Sequence, residues 1–180
     1  MKLVDHWLED ARRCPSPFYN ARPHQEISLL VIHSIALPPL TFGGDNIEKL
    51  FKGQLESERH PYFEQLADLK VSAHLLIRRT GELVQFVAFD QRAWHAGRSS
   101  FAGRSNCNDF AIGIEMEGSD HQPYTEPQYA VLQQVTQVLK HAYPAITTER
   151  ICSHAAIAPD RKTDPGPAFD WDRYLKGVPE

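Results

Sequence analysis

Nine histidines in a chain of 180 residues make metal binding and acid–base catalysis the first chemistry to consider. Of these, His33 ends a short and almost wholly apolar run, residues 28–33, just before a loop rich in proline and glycine. Functional side chains are often placed where a rigid element meets a loop. Position alone nevertheless favours a simpler interpretation, a histidine held by hydrogen bonds in the core. His33 is therefore a candidate that depends on partners elsewhere in the chain.

Residues 152–167 contain the partners that His33 would need. Asp164 precedes a proline, and a residue in that position is biased toward extended backbone. In that conformation Lys162 and Asp164, two residues apart, project to the same side. Three prolines between positions 159 and 167 stiffen the segment and limit the entropy lost in holding a ligand. A solvated surface turn with an incidental Lys–Asp pair explains the same pattern equally well.

His33, His154 and Asp164 together make a sound zinc set, with two imidazoles, one carboxylate and a fourth position for water. Their spacing is weak support by itself, because only His154 and Asp164 lie near each other in the sequence. The competing chemistry is a cysteine nucleophile, since Cys152 lies two residues before His154. A small buried thiol is the more common role of such a cysteine.

Residues 110–117 alternate between large apolar side chains and a second set that includes Glu115 and Glu117. This alternation predicts a half-buried strand. Carboxylates on the polar face of such a strand are usually solvated. The functional alternative is a general base that faces a metal-bound water, with Ala111 and Gly113 leaving room for a substrate. Both interpretations stay open at this point.

The elements that must position these residues can be predicted from periodicity and capping signals. Thr80-Gly81 separates two apolar runs at the spacing of a two-residue hairpin, and Thr125 with Gln128 forms a capping box. The predicted strands are residues 28–33, 73–79, 82–89 and 110–117. The predicted helices begin at Asp45, Thr125 and Asp170, and the first ends at Lys52 and the last near Gly177. Strands mixed with helices predict one α/β domain, residues 1–180, with a central mixed sheet flanked by helices. Residues 36–70 are expected to be mostly irregular and to form a possible lid.

The composition excludes several classes of partner. The formal net charge is −4 and no basic run exceeds two residues, which disfavours nucleic acid. No stretch approaches the ~20 apolar residues that span a bilayer, and no export signal is recognised. The three cysteines, Cys14, Cys107 and Cys152, are odd in number and widely spaced, as expected of free thiols. We expect a cytoplasmic protein that binds neither nucleic acid nor membrane.

A series of segments along nearly the whole chain carries a shared pattern that runs in order. They are residues 15–17, 31–39, 42–44, 60–63, 71–79, 93–97, 107–110, 112–118, 157–167 and 169–171. Together they resemble the AmpD-type N-acetylmuramoyl-L-alanine amidases. That family belongs to the zinc amidase superfamily, which also contains peptidoglycan recognition proteins and phage T7-type lysozyme.

The resemblance implies a fold of that superfamily and a role for each matching residue. Glu115 is implied as the general base and Lys162 as the group that stabilises the transition state, while Tyr62 lies near the metal. His74 matches the pattern without being a ligand. The implied zinc ligands, one ion per chain, are His33, His154 and Asp164. The implied reaction is hydrolysis of the lactyl–L-alanine amide in 1,6-anhydro-N-acetylmuramyl peptides. In cytoplasmic peptidoglycan recycling, that reaction depletes the fragments that induce β-lactamase.

The residues that would contact the substrate are less well defined. Ser34 stands where the family commonly has Asn, and Asn106 where it has Arg. Trp94, beside His95, can form a stacking surface, although ordinary packing is the more common role of such a pair. The candidate substrate-binding residues are Ser34, Trp94, Lys70 and Asn106. Two alternatives remain, a muropeptide-binding module without catalysis and a zinc hydrolase of another amide. The expected partner is a small muropeptide bound by a monomer.

Overall fold

The computed structural model describes residues 1–66 and 68–178. Residue 67 of the predicted segment 36–70, and residues 179–180 of the predicted domain, lie outside the described residues. The strands are β1 (Leu3–Val4), β2 (Trp7–Leu8), β3 (Arg12–Arg13), β4 (Tyr19–Ala21), β5 (Leu29–Ile35), β6 (Leu75–Ile77), β7 (Leu83–Gln85), β8 (Gln91–Ala93), β9 (Ser100–Phe101), β10 (Arg104–Ser105), β11 (Ala111–Glu117) and β12 (Ile151–Ser153). The α-helices are α1 (Asn46–Phe51), α2 (Pro61–Glu64), α3 (Glu126–Ala142), α4 (His154–Ile157) and α5 (Trp171–Lys176). Short 3-10 helices cover Ser57–Arg59, Cys107–Asp109 and Thr148–Arg150.

The central sheet is mixed, as predicted, and its six strands lie in the order β12-β5-β11-β6-β7-β3. β12, β5, β11 and β6 are mutually parallel, whereas β6 and β7 pair in the antiparallel direction. Helix α3 lies against one face, where Leu132, Val135 and Leu139 join the main apolar cluster. This arrangement of a mixed sheet and helices is the α/β fold expected from the sequence.

Strands β5 and β11 form the centre of this sheet. The prediction that residues 28–33 form a strand buried on both faces is confirmed, and the strand continues two residues beyond His33 to Ile35. β11 differs from the prediction, because all seven of its residues are buried instead of one face only. Glu115 and Glu117 are therefore not solvated. The face predicted to be polar is buried as well, because the His95 ring packs over Gly113.

The two predicted capping signals of α3 and α5 are confirmed. The Thr125 side chain accepts the backbone N–H of Gln128, and the Gln128 side chain returns a bond to the Thr125 N–H. Asp170 likewise accepts from the Arg173 backbone. Asp45 precedes α1 but makes no side-chain cap, because its carboxylate pairs with Lys49 at 3.2 Å. Helix α1 ends at Phe51, one residue before the predicted end.

The predicted hairpin is present, although its turn differs from the prediction. β6 and β7 pair in the antiparallel direction with Ile77 opposite Leu83. The Arg78 N–H donates to the Glu82 carbonyl at 2.9 Å, so three residues instead of two form the turn. Gly81 has a φ of +87°, which suits glycine and typifies three-residue hairpin turns. The backbone N–H of Arg79 donates to the Glu117 carboxylate. Arg79 therefore does not pair with the opposite strand of the hairpin.

Segment 36–70 is less irregular than predicted. It contains α1, a 3-10 helix and α2, and its buried side chains form an apolar cluster with residues of the hairpin. Ile47, Phe51 and Phe63 lie in this cluster together with Phe86 from the chain after β7. None of the helices among the described residues is both long and apolar enough to cross a membrane.

Candidate active site

His33, His154 and Asp164 converge near the carboxyl ends of β5 and β12. The two Nδ1 atoms of His33 and His154 lie 2.9 Å apart. The Asp164 Oδ2 atom lies 3.5 Å from the first and 3.1 Å from the second. One ligand atom of each residue falls within 4.8 Å of the others, and both histidines are almost fully buried. This is the spacing of three donors that can share one metal ion.

Each of the three is positioned by a different local feature. His33 lies in β5, and β12 pairs beside it in parallel with Ser153 opposite Ile32. The chain leaves β12 directly into α4, whose first residue is His154, so the two rings become neighbours. The loop that carries Asp164 is tied back by a hydrogen bond from the Ala155 N–H to the Asp164 carbonyl at 3.1 Å.

The ionisation of these groups favours cation binding. Burial lowers the pKa of His33 to about 4, against the opposing effect of its hydrogen bond with Asp164. Burial opposes ionisation of Asp164, but its hydrogen-bonding contacts with His154 and His33 hold its pKa well below the usual range. At neutral pH the pair is therefore a neutral imidazole and a carboxylate, which are the forms that bind a metal.

Glu115 lies beside this cluster without a partner for one of its oxygens. It stands opposite His33 in the parallel register of β11 and β5, so both side chains point to the same face. Its Oε2 atom is buried and, among the described residues, accepts no hydrogen bond. Burial raises the pKa of this carboxyl to about 8, with a smaller increase from Asp164 and a decrease from Lys162.

The donor set and this unpaired oxygen can be used to test whether a metal fits. Two imidazole nitrogens and one carboxylate oxygen match the ligands that zinc takes in catalytic sites, where a fourth position stays open. A hard cation such as Mg²⁺ would require mostly oxygen donors. The carboxylate of Glu115, buried beside the donors with a free lone pair, provides an acceptor for a molecule in that fourth position. The residues present therefore fit zinc.

Glu117, two residues along the same face, is fully engaged. Its carboxylate pairs with Arg78 at 3.2 Å and accepts the backbone N–H groups of Gly43 at 2.6 Å and Arg79 at 3.0 Å. It is 2% exposed. Of the two carboxylates left open by the sequence, Glu117 has a structural role and holds the Gly43 loop to the sheet.

The other two candidate catalytic residues differ in position. The Lys162 side chain lies close enough to Glu115 and His33 for its charge to lower the pKa of both. Tyr62 is at the start of α2, where it is partly buried and packs on the apolar cluster that includes Phe63. The charge of Lys162 thus acts on Glu115 and His33, whereas Tyr62 lies on the neighbouring segment.

The four candidate substrate-binding residues are dispersed. The Ser34 N–H lies 3.3 Å from the Asp164 carboxylate, at the metal-binding cluster. The Trp94 indole N–H donates to Asn20 and its ring stacks on Phe18 at 6.2 Å, so ordinary packing occupies this residue. Lys70 is exposed. Asn106 is also exposed and precedes a 3-10 helix with a φ of +59°, a conformation that Asn tolerates better than most residues.

The cysteine alternative loses support. Cys152 is partly buried in β12, and burial raises the pKa of its thiol to about 12. A thiol is nucleophilic only as the thiolate, so this residue is unreactive at neutral pH. Burial raises the pKa of Cys107 as well.

Sequence reasoning missed the role of His95. Its Nδ1 atom lies 2.9 Å from the Nε2 atom of His33, on the side of that ring away from the cluster. Gly113, which the sequence suggested as room for a substrate, instead makes room for this ring. A Cβ atom at Gly113 would lie 2.4 Å from the His95 Cγ atom. The available signal was the Trp94-His95 pair within one of the matching segments, but it does not reveal which ring His95 meets.

Comparison with known proteins identifies the family of this chain. The family profile of N-acetylmuramoyl-L-alanine amidase matches residues 23–167. The 1,6-anhydro-N-acetylmuramyl-L-alanine amidase AmpD of Citrobacter freundii is 57% identical over 175 residues, which cover 97% of this chain and 93% of that protein. The crystal structure of a Se-Met AmpD derivative superposes with a TM-score of 0.97 at 55% identity, covering 99% of this chain and 100% of that one.

A more distant structure includes a bound substrate. The N-acetylmuramyl-L-alanine amidase AmiD from E. coli is 28% identical and has a TM-score of 0.63. The match covers 84% of this chain and 57% of that one. It is a complex with the substrate anhydro-N-acetylmuramic acid-L-Ala-D-gamma-Glu-L-Lys. The family profile and the close relatives span most of this chain, so the chain belongs to the N-acetylmuramoyl-L-alanine amidase family and, within it, to the AmpD type.

Proposed function

We propose that this amidase hydrolyses the lactyl–L-alanine amide of 1,6-anhydro-N-acetylmuramyl peptides, with one zinc ion held by His33, His154 and Asp164. The observation that carries the proposal is the convergence of those three donors beside a buried carboxylate with an unpaired oxygen. A bound zinc ion supplies positive charge that polarises the amide carbonyl, acidifies water and favours the ionised form of Glu115.

Glu115 acts as the general base. Its carboxylate accepts a proton from water as the water oxygen forms a bond to the amide carbonyl carbon. The same carboxyl then donates that proton to the nitrogen as the carbon–nitrogen bond breaks, which releases the peptide amine and a lactyl carboxylic acid. The first transfer needs an acceptor with a free lone pair beside the reacting atoms, and the unpaired Oε2 atom meets this requirement. In the second transfer the protonated carboxyl is the donor.

Lys162 stabilises the charge that develops on the carbonyl oxygen. Its ammonium group lies near Glu115 and the ligand His33, where it acts on the pKa of each. A fixed positive charge in a largely dry site stabilises an oxyanion far more than it would in water. Tyr62 packs on the neighbouring apolar cluster, and a role for it in the reaction stays a prediction.

The choice of substrate rests on the relatives. The proteins covering nearly the whole chain are named for 1,6-anhydro-N-acetylmuramyl-L-alanine, and the AmiD complex holds an anhydromuramyl tripeptide. A binding module without catalysis would not need Glu115 unpaired and buried beside a complete ligand set. A zinc hydrolase of another amide would use the same ligands, so the substrate test must distinguish it.

We further propose that the reaction belongs to cytoplasmic peptidoglycan recycling and lowers the concentration of fragments that induce β-lactamase. The close similarity to AmpD proteins supports this role. The single domain over residues 1–180, the monomeric state and a lid formed by residues 36–70 stay predictions.

The decisive experiment is incubation of the zinc-loaded protein with an anhydromuramyl tripeptide and, separately, with intact sacculi, followed by mass spectrometry of released peptide. We expect release from the small anhydro fragment, little from sacculi, and none with Glu115→Gln. Release from sacculi alone would contradict the recycling role. Cleavage of unrelated N-acyl amides at the same rate would instead favour the broader hydrolase.

A further inference from the structure

We propose that the backbone and side chain at His95–Ala96 form a positioning element that fixes the ring protons of both histidine ligands, so that both Nδ1 lone pairs face the metal. The inference rests on the proposed metal site, but it concerns residues outside the ligand set. It is carried by two separate contacts, one to each ligand ring.

The first contact is made to His33. Because its Nδ1 atom faces the cluster, its ring proton must be on Nε2 for the metal-binding form. The Nε2 atom lies 2.9 Å from His95 Nδ1, which then accepts that proton in a hydrogen bond. The Nε2 atom of His95 is buried and unpaired among the described residues. In this arrangement the ring proton of His95 lies on that Nε2 atom.

The second contact is made to His154. Its Nε2 atom lies 3.3 Å from the backbone carbonyl oxygen of Ala96. A carbonyl oxygen only accepts hydrogen bonds, so in the metal-binding form, where Nδ1 faces the ion, the proton of the neutral His154 ring lies on Nε2 and is held by this carbonyl. Two consecutive residues thus provide the outer acceptor for both rings. Carboxylates and carbonyls that accept from the outer N–H of a ligand histidine are a recurrent feature of zinc sites.

The positioning element is itself held in place from both sides. The Asn108 Oδ1 atom accepts the backbone N–H of His95 at 3.1 Å and of Ala96 at 2.8 Å. On the other side, the Arg161 guanidinium donates to the carbonyls of Ala96 and Arg98. The absence of a side chain at Gly113 leaves the space that the His95 ring fills. These contacts determine where the two acceptors lie before any ion binds.

A pair of isosteric variants separates the hydrogen bond from the volume of the side chain. His95→Asn keeps an acceptor near the position of Nδ1, whereas His95→Leu has nearly the same shape without one. We expect the zinc dissociation constant, measured by competition with a chelator, to rise roughly 10–100-fold for His95→Leu and only a few-fold for His95→Asn. Equal zinc affinity in these two variants would overturn the proposal.

A second pair uses exposed residues, whose replacement leaves the core intact. Arg161→Ala removes the donor to the Ala96 carbonyl, whereas Arg98→Ala removes the same charge from an exposed position on the adjoining segment and leaves that contact in place. We expect a several-fold loss of zinc affinity for the first and none for the second. If Arg161→Ala and Arg98→Ala have the same zinc affinity and His95→Leu does not fold, the positioning role is wrong.

Ring ¹⁵N shifts provide a readout that does not depend on turnover. In the wild-type protein with zinc, His33 and His154 should both show a protonated Nε2 and a metal-bound Nδ1. His95→Leu should broaden or shift the His33 signals and leave those of His154 unchanged. A protonated Nδ1 on either ligand in the wild-type protein would contradict the assignment. Hydrolysis of another substrate, or of none, would contradict the proposed function and leave this assignment intact.

Discussion

Glu115 and Glu117 lie two residues apart on the same face of β11, yet their surroundings are opposite. Glu117 is bound by Arg78 and by two backbone N–H groups, whereas Glu115 keeps one buried oxygen unpaired. The difference comes from the neighbouring elements, since the hairpin brings an arginine to one carboxylate and β5 brings a histidine to the other. An unpaired buried carboxylate destabilises a fold, and its presence beside three candidate metal ligands supports the role that we propose for Glu115.

Neutralising Glu115 is the test of this comparison with the largest expected effect. Glu115→Gln should lower kcat/KM roughly 10²–10⁴-fold, the range for loss of a general base. Zinc content, measured by elemental analysis, should stay at one per chain. Substantial activity in this variant would mean that the unpaired oxygen is not the proton acceptor.

The comparison extends to one cation for each carboxylate. The charge of Lys162 acts on Glu115, and Arg78 pairs with Glu117. Lys162→Ala should reduce kcat roughly 10²–10³-fold, because it removes a charge at the developing oxyanion. KM should change little. An effect confined to KM would show that Lys162 binds the substrate without stabilising the transition state.

Glu117→Gln tests the structural side of the comparison. It should lower the free energy of unfolding by about 1–3 kcal/mol, because the Gly43 and Arg79 N–H groups and the Arg78 side chain lose a charged acceptor. Urea denaturation followed by circular dichroism measures the loss. Arg78 keeps its pair with Glu48 at 2.6 Å, which limits the cost. If this variant lost turnover at full stability, Glu117 would have a direct role in the reaction.

The last test is the pH dependence of stability in the metal-free protein. The pKa of Glu115 is about 8 in the folded chain and 4.5 ordinarily. Between these values the folded state binds more protons than the unfolded state, so this group makes stability fall as pH rises through that window. Glu115→Gln should gain stability relative to the wild type across this range, by at most ~1.4 kcal/mol per pH unit. A constant difference in denaturation midpoints would show that the carboxyl is already ionised when folded.

The sequence was most informative where the signal is local. The capping box at Thr125 depends on two residues three apart, and it appears as predicted. The three candidate ligands were identified only because the family pattern joined distant segments. The burial of β11 was not predicted, because it depends on a ring from another part of the chain. For the same reason Gly113 was interpreted as room for a substrate, although the space belongs to His95.

The parallel register between β5 and β11 also has a consequence for protein engineering. A slip of one residue would place Met116 beside His33 and turn Glu115 to the opposite face. Hydrogen bonding within the sheet therefore sets the separation of the proposed ligand and base, and the connecting loops do not. Loops at this end of the sheet that carry none of the proposed ligands, base or positioning residues can be exchanged to alter substrate preference, while His33 and Glu115 keep their spacing. A transplant of this chemistry to another scaffold would need two adjacent parallel strands and the turn after a third.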